Sequence, residues 1–444
     1  VDARLERAAE LKEDLIEFVF EAEGDLAVAL EAYVATQPHR GEQFDRAERD
    51  LVIDTFLIEG KVGEKTPMDL FLESRPELSE SERNLVRGWQ RSFTSLFAVS
   101  QNLPEGFELM NWLTAKNYTV KPNNERAREE MASFKQGEIL LTRIAPVTET
   151  YWMFSGPCTQ MGSLGKPKLA VAIGNFKDKY RKHLYSDAPE LLEQAWQSVE
   201  QYHENFLEFF GSEEVTMPGY QLSKKITEFQ EVMTKKRLTA AGIDESKSLS
   251  ELAQEAGVDE EEIKAAAASA GADSKSIDQM FDPQQAGKMV TPKIELPAEL
   301  KKAEQVTVLA HPRWGQMFLP TYSRFKTLLE AEDWQTVEGA EKLVRKYLED
   351  PAINVFIWRR LAQQYPTGME KLLQGVLGRP DFTLKQDLDA LMKEFNKPLE
   401  PELPEIASVP VHLHDLFQEA ITEVSKSQSK SKGNKKTAKG FQRS

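Results

Sequence analysis

The sequence predicts an α+β fold, mostly helical, with a small antiparallel β-sheet or partly open barrel around residues 95–176. Three observations predict it. Apolar residues fall at helical spacing from Asp2 to about Phe93, the period switches from 3.6 to 2 near Ser95, and helical spacing returns from Ser186.

In the N-terminal region, residues 1–94, one helical face carries Leu5, Ala8, Ala9, Leu11, Leu15, Ile16 and Val19. Leu26, Ala29, Leu30, Tyr33 and Val34 continue the pattern, and Leu51, Ile53, Phe56 and Leu57 resume it after a break at Gln37 to Arg40. Thr66-Pro67 opens a helix with proline at its first position, and Ser79 with Glu82 makes a capping box ahead of Leu85, Val86 and Trp89. Four or five helices follow from this punctuation.

The second region, residues 95–185, reads as a small sheet module. The runs SLFAVSQN, GFELMNWL, KNYTVKPN, GEILLTRIAP, ETYWMFSGPC and PKLAVAIGNF are short, rich in alternating, β-branched or aromatic residues, and separated by Pro, Gly or Asn. Its edges need cover from the flanking helices. Residues 186–237 return to amphipathic helix, marked by Leu191, Leu192, Ala195, Trp196, Val199, Tyr202, Phe206 and Leu207. Residues 238–290 form a small acidic, Ala-rich module, Pro292 and Pro297 mark an extended linker, and residues 300–395 are expected to be a helical domain. Residues 396–424 combine a Pro-rich linker with a short helix, ahead of a basic tail at 425–444.

Charge is distributed unevenly. The chain holds 56 basic and 72 acidic residues, and the last twenty positions contain seven of the basic ones and no acidic one. A segment so poor in apolar side chains cannot offset its ordering entropy, so Lys426, Lys430, Lys432, Lys435, Lys436, Lys439 and Arg443 are expected to form a disordered polycation able to hold RNA or another anion. The acidic remainder repels nucleic acid and anionic lipid, so any such binding falls to the tail or to a local patch. Cys158 is the single cysteine, which excludes an internal disulfide and a cysteine-based zinc site and suits a reducing, cytoplasmic location. No apolar h-region opens the sequence and no run of eighteen uncharged apolar residues occurs, so neither a signal peptide nor a membrane span is expected.

The clearest local motif, SLSELAQEAGVDEEEIKAAAASAG from Ser248 to Gly271, follows a helix-turn-helix plan with Leu249, Leu252, Ala253, Val258 and Ile263 between two helices and Gly257 in the turn. Asp259, Glu260, Glu261 and Glu262 head the helix that would enter a DNA groove. Specific DNA reading is therefore excluded in favour of a protein-docking or structural module. Cys158, in SGPCTQMG, has no histidine spaced to activate it and reads as a small hydrophobe. His412, His414 and Asp415 begin a metal-ligand pattern without further ligands, and Gly162, Gly165 and Gly174 do not make a nucleotide-binding signature. No catalytic residue, cofactor or metal is assigned. The stretch HPRWGQMFLPTYSRF offers Arg313, Trp314, Tyr322, Arg324 and Phe325 as a protein-binding surface, with packing on the helices behind as the competing reading.

The segment from Pro76 to Pro146, through PELSESERNLVRGW, SLFAVSQNLPEGFELMNWLTAKNYTVK and FKQGEILLTRIAP, resembles a helix-plus-small-sheet module of uncharacterised bacterial, cyanobacterial and plastid proteins. Some of these end in a SEC-C zinc motif, and those members are expected to dock on the ribosome or translocation machinery. This sequence ends in GNKKTAKGFQRS without the ligand cysteines.

Three functions follow as expectations. The first is a non-enzymatic protein-interaction or assembly factor with several docking modules and an unidentified protein partner. The second is an RNA- or ribosome-associated protein that uses the basic tail. The third is an enzyme whose site is not visible in sequence.

Overall fold

A computed structural model describes residues 2–36, 46–240, 296–410, 412, 413, 415, 416 and 419. It divides into one unit of residues 1–192 with 410–444 and a second of residues 193–409.

In the first unit the helical punctuation works as its chemistry requires. Asp2 caps α1 (Ala3–Phe20) by accepting from the backbone N–H groups of Arg4 and Leu5. It is followed by α2 (Asp25–Ala35) and α3 (Arg46–Glu59). Capping boxes at Thr66 with Asp69 and at Ser79 with Glu82 start α4 (Pro67–Ser74) and α5 (Glu80–Gly88). These helices share a core of Leu11, Leu15, Phe56, Leu57, Phe71 and Trp89.

After Trp89 the chain enters β1 (Phe93–Leu103), β2 (Gly106–Asn111) and β3 (Asn117–Lys121), then α6 (Glu125–Met131), β4 (Ile139–Pro146) and β5 (Trp152–Phe154). β1 pairs antiparallel with both β2 and β4, β2 with β3, and β4 with β5, while β3 and β5 run parallel at Val120 and Trp152. The ladder closes in the order 1-2-3-5-4-1. A β-bulge between Val99 and Gln101 lets the long β1 bend to serve two neighbours. Alternation fills the interior with Phe93, Phe97, Phe107, Leu109, Tyr118, Val120, Trp152 and Phe154, and Met131 and Phe134 at and after the end of α6 join that core. A closed five-stranded barrel with a helix between its third and fourth strands has the connectivity of the OB-fold. The module is α+β as the sequence predicts, with the barrel closed rather than partly open.

β6 (Thr159–Gly162) adds to β4 beside β5. The expected strand PKLAVAIGNF is instead part of α7 (Lys166–Lys179), whose Leu169, Ala172, Ile173 and Phe176 pack with Leu96 and Ile139 of the barrel exterior. Proline at the first turn and the spacing 169, 172, 173, 176 favour helix over the short-range alternation.

The second unit contains most of α8 (Pro189–Phe210), then β7 (Glu214–Met217), α9 (Gly219–Ala240), β8 (Val306–His311) and β9 (Gly315–Leu319). The antiparallel sheet β7-β8-β9, with Thr216 opposite Thr307 and Val308 opposite Phe318, lies in segments the sequence predicted to be helical. Val306 and Val308 pack on Phe206, Leu222 and Phe229 of α8 and α9. A second core joins β9 to the helices Tyr322–Glu330, Ala340–Glu349, Val355–Gln364, Pro366–Leu377 and Leu384–Glu394 through Phe325, Tyr347, Trp358, Leu361 and Leu372.

Candidate functional site

The outer surface of the barrel is not covered evenly. Leu96 and Ile139 are buried with α7, Leu413 and Leu416, and Ala145 and Met153 are buried with the N-terminal helices. The outward residues of β2 and β3 differ: Glu108, Met110, Thr119 and Lys121 are partly exposed and Asn117 is exposed. At one end of this face lies a shallow depression of about 400 Å³, lined by Leu103, Pro104, Glu105, Gly106, Thr119 and Lys121. Gly106 allows the β1–β2 turn to approach β3, because a Cβ there would stand 2.4 Å from the Val120 carbonyl oxygen.

Lys121 Nζ lies 3.1 Å from Glu105 Oε2, 3.3 Å from Asp2 Oδ2 and 4.3 Å from the centre of the Tyr151 ring. Partial burial disfavours its charge, but hydrogen bonds to Glu105 and Asp2 outweigh that effect and hold its pKa above the ordinary lysine value. The face therefore carries Glu105 and Glu108 beside a lysine already engaged by carboxylates. Phe107, Tyr118 and Trp152 point into the barrel core, so they do not offer the stacking platform that single-stranded bases use.

A largely buried ionic network lies between the barrel and the N-terminal helices. Lys12 of α1 sits 2.7 Å from Asp54 of α3, both with side chains about as buried as the surrounding core at 3 % and 5 % exposure. Arg143, on the outward side of β4 and fully buried, reaches Asp54 Oδ2 at 3.6 Å and donates through its terminal guanidinium nitrogens to Glu59 at the end of α3. His183 Nε2 approaches the same Glu59 oxygen at 3.3 Å. Gly156 passes so close that a Cβ would meet the Asp54 carboxylate at 2.9 Å. Burial drives the Lys12 pKa below its ordinary value despite Asp54, whereas His183 and Arg143 outweigh burial at Glu59 and hold it low. Lys12, Asp54 and Arg143 are shut away from solvent and Glu59, 32 % exposed, closes the network at its rim, so four charges balance in a way that suits a structural lock.

The second unit resolves the surface expected at 311–325. Tyr322 and Phe325 are fully buried, Phe325 stacking on Tyr347 at 4.1 Å between ring centres, so they are core residues and not part of a presented surface. The reason is the stripe Tyr322, Phe325, Leu328 and Leu329, which turns the buried face of its helix inward. Trp314 is partly buried against the same core, and Arg324 donates to the Glu338 carbonyl at 2.9 Å. Arg313 remains exposed, its guanidinium 4.0 Å from the centre of the Trp196 ring.

The other sequence candidates disperse. Cys158 packs against the barrel core, where burial pushes its thiol up to about 12 and leaves it protonated. His412 Nε2 lies 2.9 Å from the Trp112 carbonyl oxygen, a contact that holds the C-terminal segment on the barrel. His414, the helix-turn-helix motif at 248–271 and the tail cations Lys426, Lys430, Lys432, Lys435, Lys436, Lys439 and Arg443 lie outside the described residues. Among the described residues no group of three or more His, Cys, Asp or Glu is placed to hold a metal ion, and no helix is long and apolar enough to cross a membrane.

Comparison with known families adds one match. Residues 6–183 fit the model of a family of unknown function, DUF7986. The matched span takes in the N-terminal helices, the barrel, α7 and every member of the buried network from Lys12 to His183. It accords with the resemblance to an uncharacterised family and carries no link to a SEC-C motif. No curated protein and no solved structure matches.

Proposed function

We propose that the protein is a non-enzymatic interaction or assembly factor whose barrel binds a protein partner through the β2–β3 face and the β1–β2 turn. The observation that carries this reading is the uneven cover of the barrel: its β1–β4 and β4–β5 exteriors are buried by helices, while Glu108, Asn117, Thr119 and Lys121 stay accessible along the face that ends in the depression. OB-type barrels use this same side for ligands, although a fold by itself assigns no function. The acidic residues Glu105 and Glu108, and the turning of the aromatics into the core, favour a polar or basic protein surface over nucleobases at this face.

The test is photo-crosslinking in cells from a reactive amino acid placed at Glu108 or Thr119, with Lys385, exposed in the second unit, as the control position. A discrete protein adduct formed from both barrel positions and abolished by Glu105→Lys with Glu108→Lys supports the reading. Crosslinking no stronger than at the control position refutes it.

A further inference from the structure

We propose that the barrel surface beneath residues 412–419 is a docking groove for an amphipathic helix of a partner protein, filled in cis by the chain's own C-terminal segment. This surface is distinct from the β2–β3 face. His412, Leu413, Asp415, Leu416 and Glu419 are helical, with Leu413 and Leu416 buried and Asp415 and Glu419 exposed. Two leucines three residues apart lie on one side of a helix. They join the apolar cluster of Leu96 on β1, Leu113 after β2, Ile139 on β4 and Leu169 on α7. Polar contacts flank the leucines at both ends. His412 donates from Nε2 to the Trp112 carbonyl oxygen at 2.9 Å, and Glu419 pairs with Lys166 at the start of α7 at 2.9 Å. The groove therefore reads a donor, a leucine at the next position, a second leucine three residues on and an acid three beyond that, the spacing by which helices are held in grooves.

The cis segment is exchangeable because its anchors are modest. Among the described residues they are the two leucines, the His412 hydrogen bond and an ion pair whose side chains are 50 % and 57 % exposed. An exposed pair contributes little, and the entropy of ordering the segment opposes what two buried leucines supply. The fit is also incomplete at Trp112, which packs on the same cluster: its indole N–H is shut from solvent and meets no acceptor among the described residues. A buried donor without an acceptor is costly, so a helix that presents a hydroxyl or carboxamide there gains over the cis segment. A second copy of the chain is disfavoured as the donor of that helix. Its own segment is tied four residues before His412, where the Ser408 N–H donates to Ser198 Oγ at 2.8 Å, which leaves little chain to cross between molecules.

The experiment is fluorescence anisotropy of a labelled peptide with the sequence of Ser408 to Thr422, titrated with the full-length protein. The compared chains are wild type, Leu413→Asp with Leu416→Asp, and the milder Leu413→Ala with Leu416→Ala. The Asp chain should bind the peptide at least about tenfold more tightly than wild type, because a groove filled in cis lowers apparent affinity by the fraction of molecules that are open. The Ala chain falls between them, and a peptide with both leucines changed to Asp binds none of the three. Hydrogen exchange of the wild-type chain reads the opening without any substitution. The amides of Leu416 and Glu419 should exchange at least about a hundredfold faster than those of β1, which is paired on both sides. Equal peptide affinity for the three chains, or binding to none of them, overturns the proposal. So does protection of Leu416 and Glu419 equal to that of β1. A wild-type dimer that the Asp chain fails to form overturns it as well, since the groove then serves a second copy.

Discussion

Replacing the two ends of the Lys12–Asp54 pair separately and together tests whether the buried network is a lock. Both charges are removed from water, so cutting one partner strands the other, a loss of about 3–5 kcal/mol for a buried pair. The two single changes are not equivalent. Asp54→Asn leaves Lys12 with no anion at ion-pair distance among the described residues and only the Trp89 ring, 5.7 Å away, so it should fall at the upper end of that range. Lys12→Met leaves Asp54 with Arg143 at 3.6 Å and the Ser155 hydroxyl at 3.5 Å, so it should fall at the lower end. The double variant keeps side-chain volume nearly constant and removes both desolvation costs, so its loss should be smaller than the sum of the singles by about 2 kcal/mol or more.

Urea unfolding of the full chain, fitted with a transition for each unit, measures all four corners of the cycle. The pH dependence gives a second readout with a definite sign. Burial depresses the Lys12 pKa in the folded state, so between that value and the ordinary lysine value the unfolded chain binds more protons. Stability contributed by this group therefore rises with pH through that window, and Lys12→Met should remove the rise. Additive single effects, with a coupling below about 0.5 kcal/mol, would refute the argument that these charges compensate each other.

Three further outcomes follow from local geometry. Gly106→Ala should cost about 1–3 kcal/mol and distort the β1–β2 turn, since its Cβ would collide with the Val120 carbonyl; a thermal melt and the fingerprint of β3 amide exchange report it. Phe325→Ala should cost about 3–5 kcal/mol and Arg313→Ala less than about 1 kcal/mol, because one side chain is core and the other is an exposed cation on Trp196; equal losses in urea unfolding would return both to a shared role. Glu82 is held down to about 2 by its hydrogen bond from Ser79 and by Arg7, so its contribution is complete above the ordinary glutamate range and is lost as pH falls through about 2; Ser79→Ala should shift that loss to higher pH in an acid titration followed by circular dichroism.

What the sequence made legible is what short-range chemistry decides. Thr66-Pro67 and Ser79 with Glu82 announce helix starts because a hydroxyl and a carboxylate three residues apart satisfy orphan amides wherever they occur. The alternation of β1 to β5 is legible because one side of each strand fills the barrel. Closure is not, since it depends on Val120 meeting Trp152 across a helix and two loops. The same difference in range explains α7, where β-branched and aromatic residues look like strand until their spacing is matched to a partner surface. The surface candidates read from the sequence and the buried network diverge here. Arg313 and the tail were visible because charge or aromatics stand out in composition. Lys12, Asp54, Glu59, Arg143 and His183 were not, yet each left a trace: Lys12 lies between Leu11 and Leu15 on a buried helical face, and Arg143 interrupts the apolar run of β4. A charge on a face that must be buried requires an opposite charge there as well. That requirement, applied to Lys12 and Arg143 together, would have demanded two acids from another element, and Asp54 and Glu59 lie five residues apart on one helix to meet it. Pairing of buried charges is therefore a long-range constraint that sequence states only in halves. Its two halves here fall in the N-terminal helices and in β4, both within the span that matches a single family, as expected if helices and barrel are one folding unit.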